Sequence, residues 1–120
     1  ICIVDLKDGT SDFIKMGAST SYIRGEEGCK LIECSSLPAG IIEDAKANIK
    51  KVVLNEKDFI IICSDGINDS FGSDGDFRDF ILTIKGASPQ EYADQILQRA
   101  LLSNNGYAVD DMTVIVVKII

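Results

Sequence analysis

The rhythm of hydrophobic and polar positions changes halfway along the chain. The first half reads as short strands joined by tight turns. Ile1–Leu6 is apolar and β-branched, Lys7-Asp8-Gly9 supplies turn chemistry, and Asp12–Met16 alternates polar with apolar, a pattern that predicts a hairpin. A second hairpin is predicted with arms Ser21–Arg24 and Cys29–Glu33 around the loop Gly25-Glu26-Glu27-Gly28. Ser35-Ser36-Leu37-Pro38-Ala39-Gly40 reads as irregular, and two further strands follow at Ala47–Leu54 and Asp58–Ser64, separated by the polar Asn55-Glu56-Lys57. The period then lengthens. Phe77, Phe80, Ile81 and Ile84 share one face of a helix of about ten residues. Ser88-Pro89-Gln90-Glu91 places Ser at the N-cap, Pro at the first helical position and Glu at the third, a capping box that opens a second helix. Tyr92, Ile96 and Ala100 form its apolar stripe, with Ala93, Leu97 and Leu101 beside it, and Asn104-Asn105-Gly106 ends it. Met112–Val117, with apolar residues on both alternating faces, predicts a central strand buried from both sides.

Strands, then helices, then a strand indicate an α+β fold with a largely antiparallel sheet. The 120 residues are the size of one domain or part of one, and 46% hydrophobic with 26% charged residues describes a globular chain with enough core to fold without a staple. Ile1 stands directly inside a strand-like run with no initiator Met, so the chain reads as a piece of a longer protein. Nineteen Asp and Glu against twelve Lys and Arg give a net charge of −7, which disfavours nucleic acid and anionic lipid as partners. No apolar run reaches the roughly 18 residues needed to cross a bilayer, so no direct membrane insertion of this stretch is expected. Cys2, Cys29, Cys34 and Cys63 form no C-x-x-C pair, and a reducing, cytoplasmic setting is the natural reading.

The absence of His removes imidazole acid–base chemistry, histidine metal sites and Ser-His-Asp catalysis together. What remains is chemistry on carboxylates, thiols or hydroxyls, and two acidic clusters stand at strand ends. Asp65 directly follows the buried run Phe59–Ser64, and Asp110 and Asp111 directly precede Met112–Val117. If those strands are antiparallel neighbours, the two ends meet. Carboxylates converging there repel by roughly 3 kcal/mol per pair at about 5 Å and an effective dielectric near 20. A hard divalent cation relieves that repulsion, and oxygen-only ligands suit Mg²⁺ or Mn²⁺ rather than Zn²⁺. Taken singly, each cluster also reads as ordinary turn or cap chemistry.

These residues resemble the metal-dependent Ser/Thr protein phosphatase (PPM) family, in the branch typified by stage II sporulation protein E. The likeness rests on Ile61-Ile62-Cys63-Ser64-Asp65-Gly66-Ile67-Asn68-Asp69, an apolar strand ending in Ser-Asp-Gly-x-x-Asp, and on Asp110-Asp111-Met112-Thr113 leading into the terminal strand. Asp5-Leu6-x-x-Gly9, Gly17-Ala18, Leu37-Pro38-Ala39-Gly40-Ile41 and Glu56-Lys57-Asp58 agree more weakly. The resemblance implies an antiparallel β-sandwich flanked by helices, of which residues 1–120 form the C-terminal portion of a single, N-terminally truncated phosphatase domain. It implies a binuclear Mn²⁺ or Mg²⁺ centre that hydrolyses phosphoserine or phosphothreonine on a regulatory phosphoprotein, with an anti-sigma-factor antagonist as the implied partner and signal transduction as the setting. By position, Asp65 and Asp110 are implied as direct metal ligands, Asp69 as a contributor to a weaker third metal, and Gly66 and Asp111 as supporting residues, Gly66 by permitting the tight turn after Asp65.

The family also carries an upstream Asp-Gly motif and a further acidic ligand, and no segment before Asp65 supplies them. The resemblance therefore puts them before Ile1 and makes this stretch a half-site, weakly active or inactive alone. The alternative is a catalytically silent phosphatase-like sensory or interaction module. Other chemistry finds no support. Asp74–Asp79 begins like a calcium loop but lacks its glycine and its terminal Glu, and reads instead as an acidic lead-in to the Phe77 helix. Cys63 lies in an isoleucine run beside Asp65, an environment that suits core packing rather than a nucleophile.

Overall fold

The computed structural model describes residues 2–5, 7–15, 18–33 and 48–120. Their elements run β1 (Cys2–Val4), β2 (Thr10–Lys15), β3 (Ser21–Arg24), β4 (Cys29–Ile32), β5 (Asn48–Val53), β6 (Phe59–Cys63), α1 (Asp65–Asn68), α2 (Asp74–Thr83), α3 (Pro89–Ser103) and β7 (Val114–Lys118). Both predicted hairpins form, with Cys2 opposite Phe13 and Tyr22 opposite Leu31. The predicted irregular stretch 35–40, with Cys34 and the Leu37–Ile41 motif, lies outside the described residues.

The strands make two antiparallel sheets in the orders β1-β2-β5 and β4-β3-β6-β7. The turn at Asn55–Lys57 therefore carries the chain from one sheet to the other rather than closing a hairpin. Asp58 holds it, accepting the Asn55 N–H at 2.8 Å, while Lys57 adopts the left-handed conformation at φ 71°. One core lies between the sheets, built on Phe13, Ile23, Ile32, Leu54 and Ile60. A second lies between the four-stranded sheet and the helices, where Tyr22, Phe59, Ile61 and Cys63 meet Ile67, Phe77, Ile81, Tyr92 and Ile96. Alternate residues of β6 thus feed different cores, which is why its sequence is apolar at every position.

Aromatic rings seat the helices. Phe71 stacks on Phe77 at a centroid distance of 4.0 Å and Phe59 on Tyr92 at 4.2 Å, while Tyr22 tilts against Phe77 at 4.6 Å. The capping box of α3 is complete. Ser88 Oγ accepts the Glu91 N–H at 3.2 Å, and Glu91 Oε2 accepts the N–H groups of Ser88 and Ala87 at 3.0 and 2.8 Å. At its other end Asn105 and Gly106 take φ 55° and 85°, and the Gly106 N–H closes onto the Leu101 carbonyl at 2.7 Å.

The last strand departs from expectation. Among the described residues β7 pairs with β6 alone and ends the four-stranded order, where the pattern predicts a central strand. Val114 and Val116 pack on the helix-side core, but Ile115 and Val117 are 52% and 43% exposed. They share a face with Ile62 and Ile60, their partners in the ladder, and the three-stranded sheet that covers Ile60 leaves them uncovered. The outer face of the three-stranded sheet likewise exposes Ile3, Ile49 and Val53. The three helices lie on the opposite side of the molecule, against the four-stranded sheet.

The β6–β7 ladder, with Cys63 opposite Val114, runs on past its last strand pair. Ser64 N–H donates to the Thr113 carbonyl at 3.0 Å, Ser64 Oγ donates to the Asp111 carbonyl at 2.9 Å, and the same Oγ accepts the Thr113 N–H at 2.9 Å. Gly66 then meets the Asp110–Asp111 backbone so closely that a Cβ on it would stand 2.4 Å from the Asp111 carbonyl oxygen. Gly66 does not take a positive φ; the close approach of the Asp111 backbone is what calls for a glycine here.

Ser88→Ala removes the α3 cap and should lower stability by about 1 kcal/mol in urea unfolding. Glu91 is held below its ordinary 4.5 by the N–H groups of Ser88 and Ala87, so its contribution is present above that value and is lost as pH falls through the lowered one. Glu91→Gln should flatten that acid limb. Gly66→Ala forces backbone apart and should destabilise by roughly 1–3 kcal/mol, whereas Gly72→Ala, whose methyl meets only the mobile end of Asp76, should be nearly neutral.

Candidate metal centre

Asp65 is the first residue of α1 and stands where β6 leaves the sheet, exposed beside the buried Gly66 and Ile67. Asp110 and Asp111 form the approach to β7, also exposed. The extended ladder and the Gly66 contact bring these two segments together, as the antiparallel pairing of β6 and β7 requires. A polar chain backs the junction from the helix side. Asn104, the C-cap of α3, donates through Nδ2 to Ser70 Oγ at 2.9 Å, and Ser70 Oγ donates to the Gly66 carbonyl at 2.7 Å.

The individual carboxylates differ. Ser19 Oγ donates to Oδ1 of Asp65. Oδ1 of Asp110 accepts the N–H of Asp111 at 2.8 Å. Asp111 contributes its carbonyl to the junction, through Ser64 and the Gly66 contact. Asp69 lies one turn after Asp65 as the C-cap of α1, its N–H on the Asp65 carbonyl at 2.8 Å.

Three carboxylates do not converge. Among the described residues no three acidic or thiol side chains gather closely enough to hold an ion. Asp111 offers its main chain to the junction, and Oδ1 of Asp110 accepts its own neighbour's N–H. Oδ2 of Asp65 and Oδ2 of Asp110 remain as hard oxygen donors on apposed, exposed segments. Hard oxygen donors of this kind suit Mg²⁺ or Mn²⁺ rather than a softer ion.

Neighbouring groups are structural. Burial pushes the Cys63 thiol up to about 12, so at neutral pH it is a protonated core side chain. The hydroxyl of Tyr22 is likewise pushed up, by burial first and then by Asp74, toward which it points at 3.4 Å. Asp74 begins α2 and accepts Thr20 Oγ1 at 2.6 Å, so the stretch that began like a calcium loop is helical from its first residue. Sequence reasoning missed Ser64 and Ser19. Ser64 had a readable signal, a hydroxyl at the end of a buried strand, whereas nothing local marks Ser19 as lying beside a residue 46 positions away.

Comparison with known proteins bears on all of this. The family described as Stage II sporulation protein E (SpoIIE) matches residues 1–120. The stage II sporulation protein E of Bacillus subtilis (strain 168) is 31% identical over 123 residues, which cover 99% of this chain and 15% of that protein. The phosphatase domain of SpoIIE from Bacillus subtilis, in a manganese-presoaked form, matches with a TM-score of 0.86 at 28% identity, over 99% of this chain and 55% of that one. The PP2C phosphatase domain of the same protein, solved with a fragment of its regulatory domain, matches with a TM-score of 0.91 at 31% identity, over 98% and 36%. This chain therefore spans about half of the phosphatase-domain structure and a small part of the full-length relative. The α+β arrangement of antiparallel sheets and helices is that of the PP2C phosphatase domain. On a family match along its whole length, the chain belongs to the Stage II sporulation protein E family.

Proposed function

We propose that the protein carrying this chain hydrolyses phosphoserine or phosphothreonine on a regulatory phosphoprotein, with Mn²⁺ or Mg²⁺ held in part by Asp65 and Asp110. The observation that carries the reading is the β6–β7 junction, where two exposed carboxylate segments are locked together in a chain whose structural relatives are PP2C phosphatase domains. In this reading residues 1–120 are the C-terminal portion of one phosphatase domain, and the remaining ligands of a binuclear centre come from outside them. Such ions, when bound, supply an acidified water and neutralise phosphoryl oxygens.

The chain's own residues do the holding. Asp65 and Asp110 provide hard oxygen donors, Ser64 fixes the spacing of the segments that bear them, and Gly66 lets the Asp111 backbone close in. Asp111 supports through its carbonyl, and Asp69, one turn from Asp65, is the candidate for a weaker third ion. The expected substrate is an anti-sigma-factor antagonist in the cytoplasm. Among the described residues no helix is long and apolar enough to cross a membrane.

The test is phosphate release from a phosphoseryl regulatory protein by the full-length protein with Mn²⁺. Asp65→Asn and Asp110→Asn should each reduce the rate by at least about 100-fold, while the isolated 120-residue chain should show little or none. Rates unchanged by either substitution would exclude these two carboxylates as ligands, and absence of release from wild type would favour a silent interaction module.

A further inference from the structure

The described stretch 18–20, which leads into β3, runs past the start of α1. Its residues are fastened on three sides. Thr20 Oγ1 donates to Asp74 Oδ2 at 2.6 Å, which ties the segment to the first turn of α2. The Thr20 carbonyl accepts Asn68 Nδ2 at 3.3 Å, which ties it to the last residue of α1. Thr20 and Ser21 are buried where β3 enters the sheet. Between these anchors and β2 stands Ser19, whose hydroxyl donates to Oδ1 of Asp65.

We infer that Ser19 is a positioning residue for Asp65: its hydroxyl holds one carboxylate oxygen and leaves Oδ2 as the donor to a divalent cation. The inference rests on the metal reading above and assigns that site a further residue.

The physical case is one of orientation. Asp65 is exposed and opens a helix of only four residues, so packing does little to fix its side chain. A hydroxyl presented by an anchored segment makes a charge-assisted bond to one oxygen, and that bond persists when a cation takes the other. Outer-shell bonds of this kind set the direction of metal-binding carboxylates, and their removal typically weakens metal affinity about 10–100-fold. Thr20 and Asn68 act one step further out, because they hold the segment that holds the hydroxyl.

The experiment is a calorimetric Mn²⁺ titration of the full-length protein, with metal-free melting curves run beside it. Ser19→Ala should weaken Mn²⁺ binding about 10–100-fold with an unchanged melting temperature. Ser19→Thr, which keeps the hydroxyl, should recover most of the affinity. Thr20→Val, which releases the segment from Asp74, should fall between wild type and Ser19→Ala. Unchanged affinity in Ser19→Ala overturns the assignment, as does a loss that Ser19→Thr leaves unrepaired while melting stays the same. Wild-type protein that binds no Mn²⁺ overturns the metal reading itself, and the role of Ser19 with it.

Discussion

Everything at the candidate site depends on the backbone contact between Gly66 and Asp111. A carbonyl oxygen 2.4 Å from the place where a Cβ would be leaves no room for any other residue type. That contact is the end of a continuous hydrogen-bonded seam. It begins in the β6–β7 ladder, passes through the double role of Ser64 Oγ as donor and acceptor, and ends where two acidic segments lie against one another. Charged groups are brought together here by main-chain geometry, with the carboxylates carried along.

The rigidity of the seam comes from what lies on each side of β6. Ile60 packs toward the second sheet while Phe59, Ile61 and Cys63 pack toward the helices, so the strand is held from both faces. The stacked pairs Phe59–Tyr92 and Phe71–Phe77 lock the helices to the sheet that bears the junction. The chain from Asn104 through Ser70 to the Gly66 carbonyl joins the end of α3 to the same point. The two acidic segments thus stand at the end of a strand that is packed from both faces, the restraint a preorganised site requires.

Much of this is written locally in the sequence. The two hairpins, the ten-residue α2 and the capping box of α3 follow from short-range pattern, because turn residues, apolar period and cap chemistry act over a few positions. The meeting of Asp65 with Asp110–Asp111 is legible for a related reason, since two long buried runs invite antiparallel pairing and their flanks then coincide. The place of β7 in its sheet is not legible. Met112–Val117 reads the same whether one face or both are covered, and the exposure of Ile115 and Val117 is decided by the extent of a sheet formed from distant residues. The reach of Ser19 to Asp65 is nonlocal in the same way, and the failure of three carboxylates to converge depends on side-chain choices, such as Asp110 bonding the Asp111 N–H, that no spacing encodes.

The central claim is that Asp65 and Asp110 serve one cation across the β6–β7 junction. A double-mutant cycle on Mn²⁺ affinity, measured in the full-length protein with Asp65→Asn, Asp110→Asn and the pair together, tests it most directly. If both carboxylates share an ion, either single change removes most of the binding and the double change adds little, a strongly non-additive cycle. Additive losses, or a single substitution without effect, would mean that the seam joins these segments for a reason other than metal.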